Sequence, residues 1–529
     1  MSSIIFLLLL ISGMASAQNK VNTQTLKFGR LLHLIDSYYV DTTDINKNTE
    51  DAIRGMLGKL DPHSVYISKE EVEEMNAPLQ GSFDGIGISF NILQDTLFVV
   101  STIPGGPSEK VGIQPSDRII FVDGKMIAGI GIKNNDVFKM LRGKKGTKVE
   151  LKVLRKNKPS LLDFTIVRDK IPMYSLDASY MLDKKTGYIK INRFSSTTIP
   201  EFDKAMTELK AQNMENLVLD LRGNGGGLLK AAFELADHFI GSYKMLVYTE
   251  GTKSPRREYK ATAKGDFEKG QLVILINEGS ASASEIVAGA VQDWDRGILV
   301  GRRSFGKGLV QQPFLLTDGS MVRLTTAHYY TPAGRCIQRS YNKGTNAYHM
   351  DRFLRYQTGE MFNKDSVHFA DSLKYKTKVY GRTVYGGGGI MPDVFTPLDS
   401  TKNYKYLNMI VRKNVLFPYI LKYVEKNRAQ LESQYPTFKK YLKSFTVTDA
   451  MLEELYKNAK EEGVEKDQES LDSTLDELKI RIKAFIARDI FDQEKFYEVI
   501  NTNDEELRKA LEIIEDSKSY NKILSSVDK

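Results

Sequence analysis

The chain is short of sulfur that could cross-link it. Its only cysteine is Cys336, so it forms no internal disulfide and has no lipid-bearing cysteine just after the N-terminal apolar run. Long apolar stretches are equally scarce. One short run occupies residues 4–11, and no later segment is long and apolar enough for a membrane helix. Charge of one sign is never concentrated. The net charge of +8 is spread along the chain without a basic block, which argues against a nucleic-acid partner and for a solvated surface. The six histidines are scattered with no ligand spacing, and neither H-E-x-x-H nor G-x-S-x-G occurs. These absences remove the commonest zinc-protease and hydrolase signatures, and nothing implies a cofactor or a metal.

What is present suits a protein of several domains. A chain of 529 residues has room for three or four domains at roughly 150 residues each. The apolar run followed by Ala15-Ser16-Ala17 reads as a secretory signal peptide over residues 1–17, although no Lys or Arg precedes the run. An exported chain without disulfides suits a bacterial periplasm or cell envelope.

Residues 24–80 carry helical spacing at Leu31, Leu32, Ile35 and Tyr38, and again at Ile53, Met56 and Leu60. The segment Leu60-Asp61-Pro62-His63-Ser64 reads as a turn, with His63 structural rather than catalytic. From Gly81 the period becomes two, through Ile86, Ile88, Phe90 and Ile92, and a small β domain is expected over 81–168. Residues 169–397 alternate strands and helices, with a polar, turn-rich insertion or mobile loop at 341–385. Residues 398–529 are charged and helical. Their stripes at Leu471, Leu475, Leu478 and Ile482, and at Leu507, Leu511 and Ile514, read as core or helix–helix contacts. The expected fold class is α/β multidomain: a helical N-terminal segment, a β domain, an α/β core and a helical C-terminal region.

Chemistry concentrates between Leu272 and Gln312. The run Leu272-Val273-Ile274-Leu275-Ile276 has the length and composition of a buried strand. A small-residue turn, Gly279-Ser280-Ala281-Ser282-Ala283-Ser284, leads into a helix with Ile286, Val287 and Ala290 on one face. Ser282-Ala283-Ser284-Glu285 is a capping-box pattern, and alone it favours a helix cap over a nucleophile. Ser280 or Ser284 could supply the local hydrogen bonds instead. Lys307 sits in Ser304-Phe305-Gly306-Lys307-Gly308 and has two decoys. Residues 301–308 approach a phosphate-binding P-loop, but Gly308 stands where Ser or Thr should meet Mg²⁺, and strands rather than a helix follow. Ser304 to Lys307 also matches S-x-x-K, a motif that needs a helix the flanking glycines disfavour. A third feature, Arg222-Gly223-Asn224-Gly225-Gly226-Gly227, joins a strand to a helix. Its backbone N–H groups suit a phosphate, an oxyanion, or a plain tight turn, and the pattern does not choose.

Two resemblances organise these features. Phe83-Asp84-Gly85-Ile86-Gly87-Ile88, with residues 106–113 and 117–124, resembles a PDZ domain, Ser116 standing where the family usually has Gly. Such a loop holds a terminal carboxylate on successive N–H groups while a strand edge pairs with an extended peptide. The resemblance makes Phe83, Gly85, Ile86, Gly87 and Ile88 the peptide-binding residues. Residues 279–285 and 304–311, joined by Gln292-Asp293, resemble the carboxyl-terminal processing (tail-specific) protease family over roughly residues 30–397. That likeness implies Ser282 as nucleophile, Lys307 as general base, and Gln311 as the residue that positions the lysine. It implies Ala283 with Gly226 or Gly227 as oxyanion donors, and it matches Asp293 to a position linked with activity. The function so implied is a secreted serine endopeptidase acting on proteins with exposed apolar C-termini. A non-catalytic PDZ scaffold on a degenerate core is the alternative. An adaptor or a homo-oligomer is compatible with this layout.

Overall fold

The computed structural model describes residues 2–156 and 158–526, with side chains from Lys20 onward. The signal peptide expected over residues 1–17 falls, from Ser2 onward, within the first helix and ahead of the residues whose side chains are described. No described helix is long and apolar enough to cross a membrane. Contacts divide the chain into two units, one of residues 1–72, 311–325 and 341–348, the other of 73–310, 326–340 and 349–529.

In the first unit, helices α1 (Ser2–Tyr38) and α2 (Ile45–Leu57) lead to strand β1 (Val65–Ile67). Asp44 caps α2 by accepting from the Asn46 and Lys47 N–H groups. The turn before β1 is tied by Asp61, which accepts from the N–H groups of His63 and Ser64 at 2.7 and 2.9 Å. His63 Nε2 meets the Tyr348 hydroxyl at 2.8 Å, so this histidine holds a turn, as the sequence suggests. β1 pairs antiparallel with residues 321–323.

The second unit begins within α3 (Val72–Gln80) and β2 (Ser82–Gly85). A five-stranded path follows, β3 (Ile88–Leu93), β4 (Thr96–Thr102), β5 (Arg118–Val122), β7 (Lys148–Leu154) and β8 (Leu162–Val167), with β6 (Lys125–Met126) paired to β5. The short helix α4 (Pro107–Lys110) and α5 (Asn134–Leu141) complete this domain. Burial along β7 alternates strictly, and its inward side chains Val149, Leu151 and Val153 join Leu97, Val99, Ile119 and Val137 in a separate core. β2 pairs with β9 (Asp169–Pro172), which carries the chain onward.

The central sheet has the order β10 (Leu176–Met181), β11 (Thr186–Ile191), β12 (Asn216–Asp220), β15 (Leu272–Ile276), β16 (Ile298–Gly301) and β21 (Val394–Phe395). From β11 to β21 every neighbouring pair is parallel. The unbroken apolar run of β15 follows from cover on both faces. Leu272, Ile274 and Ile276 face one core with α6 (Thr198–Lys210), α7 (Leu229–Asp237) and α8 (Ala283–Asp293). Val273 and Leu275 face another. Strands β13 (Met245–Gly251) and β14 (Ser254–Lys260) form a hairpin beside α8, and β17 (Leu309–Leu315) and β18 (Met321–Tyr330), the strands expected after Gly308, form one around Asp318-Gly319.

Segment 341–385 is built rather than loose. It contains α9 (Thr345–His349), α10 (Asp351–Gln357) and a hairpin of β19 (Lys374–Lys376) with β20 (Thr383–Tyr385). Two of its polar residues are buried partners, which a polar run does not announce: Arg355 and Arg382 are almost fully enclosed in ion pairs. Helices α11 (Lys405–Arg412), α12 (Leu416–Gln434), α13 (Phe438–Ser444), α14 (Asp449–Glu461), α15 (Gln468–Ile490) and α16 (Gln493–Ile500) share a core of their own. The last two, α17 (Glu505–Glu515) and α18 (Ser517–Ser525), pack Leu507, Ile513, Ile514 and Tyr520 on the second face of the central sheet.

Candidate active site

Three neighbouring parallel strands end at the same edge, and each delivers one part of the site. β12 ends in the glycine turn, β15 in the serine turn, and β16 in the lysine loop. Side chains and backbone then sew the three together.

Asn224 joins the first two. Its fully buried amide donates to the Ile191 carbonyl (3.0 Å) and accepts from the Gly226 N–H (2.8 Å). Its carbonyl accepts from the Ala281 N–H and from Ser284 Oγ, both at 2.9 Å. Ser280 Oγ accepts from the Asn277 N–H and donates to the Leu221 carbonyl. Ser280 and Ser284 therefore supply the local bonds, as the turn allowed. Gly226 lies so close that a Cβ there would stand 2.7 Å from Ser282 Cβ and 3.0 Å from the Ala283 nitrogen. At Gly227, φ is +148° and a Cβ would fall 1.9 Å from the Phe194 carbonyl oxygen.

Ser282 stands at the strand-to-helix corner with φ +56° and ψ −110°. Such a conformation is strained for a residue with a Cβ. Only half of the capping box forms: Glu285 accepts from the Ser282 N–H at 2.8 Å, while Ser282 Oγ makes no cap hydrogen bond. The Glu285 N–H instead donates to the Ser282 carbonyl (2.9 Å). The hydroxyl is thus not committed to the helix end, and it is half-buried. The Ala283 N–H, at the first helical position, has no acceptor within the helix.

Glu285 also binds the lysine loop. One carboxylate oxygen accepts from Ser304 Oγ and the Gly306 N–H (2.5 and 2.7 Å). The other accepts from the Lys307 N–H at 2.9 Å as well as from Ser282. Burial pushes the Glu285 pKa up, against the pull of these four donors. The Phe305 N–H donates to the Ser280 carbonyl (2.9 Å), and the Tyr329 hydroxyl lies against the carbonyls of both Ser282 and Lys307. Lys307 is half-buried.

The remaining expected residues have partners of their own. Asp293 closes α8, about 16 Å along the helix from Ser282 at roughly 1.5 Å per residue. It is fully buried, paired with Arg335 at 2.5 Å, and accepts from the Ala333 N–H. Gln311 belongs to the first unit, where its amide donates to Thr325 Oγ1 at 3.3 Å. In the β domain, β3 is an edge strand and carries Ile88. Ile86 is buried in the domain core, and the Phe83 ring covers Gly85 and meets the Arg142 guanidinium at 4.8 Å.

Comparison with known proteins decides the family. The profile of peptidase family S41 matches residues 185–345. Carboxy-terminal processing protease CtpA of Bacillus subtilis is 37% identical over 339 residues, 63% of this chain and 72% of that protein. The chain belongs to peptidase family S41. The carboxy-terminal-processing protease of Bartonella bacilliformis is 36% identical, over 63% of this S41 peptidase and 77% of that protein. A PDZ profile matches residues 68–154, an activating protease CtpB N-terminal domain matches 10–71, and a family of unknown function matches 406–492. Among solved structures, the photosystem II D1 C-terminal processing protease is 31% identical, covering 58% of this chain and 89% of that one with a TM-score of 0.34. The protein is a carboxy-terminal processing serine protease with a PDZ domain, and proteins are its substrates.

Under the glycine turn this S41 peptidase carries a charge cluster that its sequence does not advertise. Burial would raise the Asp220 pKa, but Arg222 and Lys190 outweigh it and hold the carboxyl well below the usual range. Arg222 in turn reaches Asp504 and Glu506 at 2.7 and 2.6 Å. Sequence reading also missed Asn224, Glu285 and Tyr329 as parts of the site. Glu285 was visible only as a cap. Its spacing from Ser282 was legible, but its reach to residues 304–307 depends on strands joining across the sheet.

Proposed function

We propose that the protein is an exported endopeptidase that uses Ser282 and Lys307 as a dyad and selects substrates by apolar C-terminal tails. The observation that carries this reading is the joining of the serine turn and the lysine loop by one carboxylate, Glu285, while the Ser282 hydroxyl stays out of the helix cap. Lys307 takes the Ser282 proton, and Ser282 Oγ attacks the scissile carbonyl. A lysine at the ordinary pKa of about 10.4 is neutral in fewer than roughly one molecule in a thousand at pH 7, so the base must be desolvated when it acts. Partial burial of Lys307 agrees with that need. The proton then passes to the leaving amine, and water hydrolyses the acyl-enzyme.

The oxyanion is held by the Ala283 N–H and an N–H of the glycine turn. Gly227 suits this role better than Gly226, whose N–H already donates to Asn224. Asp293 acts through Arg335 on the fold around the site. Tail recognition falls to the PDZ domain, where a peptide adds to the free edge of β3 and its carboxylate meets N–H groups of residues 85–88. Support comes from the edge position of β3 and the Phe90–Phe138 contact that lines the space between β3 and α5. Export rests on the leader-like residues 1–17.

Cleavage of an unstructured protein with an apolar tail tests the reading. Ser282→Ala and Lys307→Ala should each lose at least roughly 10³-fold in kcat. Amidating the substrate's terminal carboxylate should weaken cleavage in the wild type. Wild-type turnover by both variants would remove the dyad.

A further inference from the structure

The lysine loop has a second support besides Glu285. Residues 303–308 form no helix or strand, so their polar backbone groups depend on side chains for partners. Glu285 takes the donors of this loop: Ser304 Oγ–H and the N–H groups of Gly306 and Lys307. The acceptors are taken by Arg355 of α10. Its guanidinium donates to the carbonyls of Ser304 (2.7 Å), Phe305 (3.2 Å) and Arg303 (3.4 Å). An anion on its donors and a cation on its acceptors thus hold consecutive residues leading to Lys307.

Arg355 is itself locked. Only 4% of it is exposed, and its Nε faces Asp351 at 2.7 Å. Asp351 also pairs with Arg339 (2.6 Å), whose guanidinium stacks on the Phe305 ring at 3.8 Å and donates to the Phe305 carbonyl. Glu360 holds Arg303 through two bonds of 2.6 Å. Burial, with Arg303 and Arg339 nearby, lowers the Arg355 pKa to about 10, and the side chain stays charged at neutral pH. All these residues lie in one unit, and Arg355 falls beyond the stretch that the S41 profile covers.

We infer that Arg355 is a positioning residue for Lys307: α10 fixes the backbone of the lysine loop, and so the alignment of the base with Ser282. This rests on Lys307 being the base. A neutral side chain of similar length cannot donate to three carbonyls, and the loop would sample other geometries. A small misplacement of a catalytic group costs rate without costing substrate affinity.

The test is steady-state cleavage by the full chain carrying Arg355→Met, Arg355→Lys, Asp351→Asn or Tyr356→Ala, beside Lys307→Ala. Arg355→Met should lower kcat by at least roughly tenfold with KM within about twofold, and should shift the acidic limb of the pH–rate profile upward. Arg355→Lys should recover part of the loss. Asp351→Asn, which frees the guanidinium without removing it, should act in the same direction more weakly, and it serves if Arg355→Met fails to fold. Tyr356, on the same helix and 54% exposed, should be replaceable by Ala without effect. Wild-type kcat and pH profile in Arg355→Met, or in Asp351→Asn should that variant alone fold, would overturn the proposal. A change confined to KM would do the same. A fully active Lys307→Ala would overturn the underlying dyad and this inference with it, whereas an inactive one beside an unaffected Arg355→Met would sink the inference alone.

Discussion

Glu285 takes four hydrogen bonds on two buried oxygens, and every donor belongs to the serine turn or the lysine loop. Its raised pKa gives stability and assembly of the site opposite dependences on pH. A carboxyl whose native pKa exceeds its unfolded value of about 4.3 binds more protons when folded. The stability so gained is complete below that value and is lost as pH rises through the raised native one. Only the ionised carboxylate, however, can accept from all four donors. Urea unfolding of the wild type should therefore show this component of stability falling across that window while peptidase activity climbs. Glu285→Gln removes the titration. Its amide would also turn an NH₂ toward two of the four donors, at a cost of roughly 2–6 kcal/mol for two opposed buried groups. The variant should unfold at lower urea and lose at least roughly tenfold in kcat at every pH. A variant as active as the wild type would show that the loops hold their geometry without this carboxylate.

At the scale of elements, strands with apolar runs and the helices between them were readable, and corners were not. β15 and α7 follow directly from their side chains. α8 shows an apolar face at Ile286, Val287 and Ala290, yet all eleven of its residues are buried, because the rest of its surface is small and closely packed. Ser282 was hidden for a similar reason. Its corner uses alanines, not the glycines that usually flag a positive φ, and the strain is carried by the surrounding bonds to Asn224 and Glu285. Resemblance, rather than pattern, marks Ser282 as the proposed nucleophile. The glycine turn is the corner most sensitive to change. In Gly227→Ala the new Cβ meets the Phe194 carbonyl, which also accepts from the Leu228 N–H at 2.9 Å, so the backbone of the turn must move. Strain of this kind costs on the order of 1–3 kcal/mol, and a displaced oxyanion donor costs roughly 10²–10³ in kcat. The expected result is a modest fall in Tm with a large fall in kcat. A fall in Tm alone would assign the turn to folding and not to catalysis.

For the whole molecule, the helical C-terminal region divides into two parts with different duties. The stripe at Leu471, Leu478 and Ile482 builds a helical core of its own, as its spacing indicates. The stripe near Leu507 does something that helical spacing cannot announce. Leu507, Ala510, Ile513, Ile514, Tyr520 and Leu524 cover Val218, Val273, Leu275, Ile298 and Val300 across the central sheet. The same segment brings Glu506 to both Arg222, beneath the glycine turn, and Arg302, at the end of β16. Removing residues 504–529 would expose one face of the sheet from which the serine turn and the lysine loop emerge. Five large apolar side chains at roughly 1.5–3 kcal/mol each amount to about 10 kcal/mol, comparable to the whole stability of a typical domain. Arg222 and Arg302 would lose partners as well, and unpaired buried charge adds to the loss. The truncated chain should be insoluble or bind a hydrophobic dye in solution, with no cleavage activity. The milder Glu506→Gln should fold and show a lowered Tm, since Asp504 still meets Arg222 and Glu278 still meets Arg302 at 3.1 Å. A soluble truncated protein with wild-type activity would mean that the sheet can leave this face bare, and that α17 and α18 serve something other than the catalytic core.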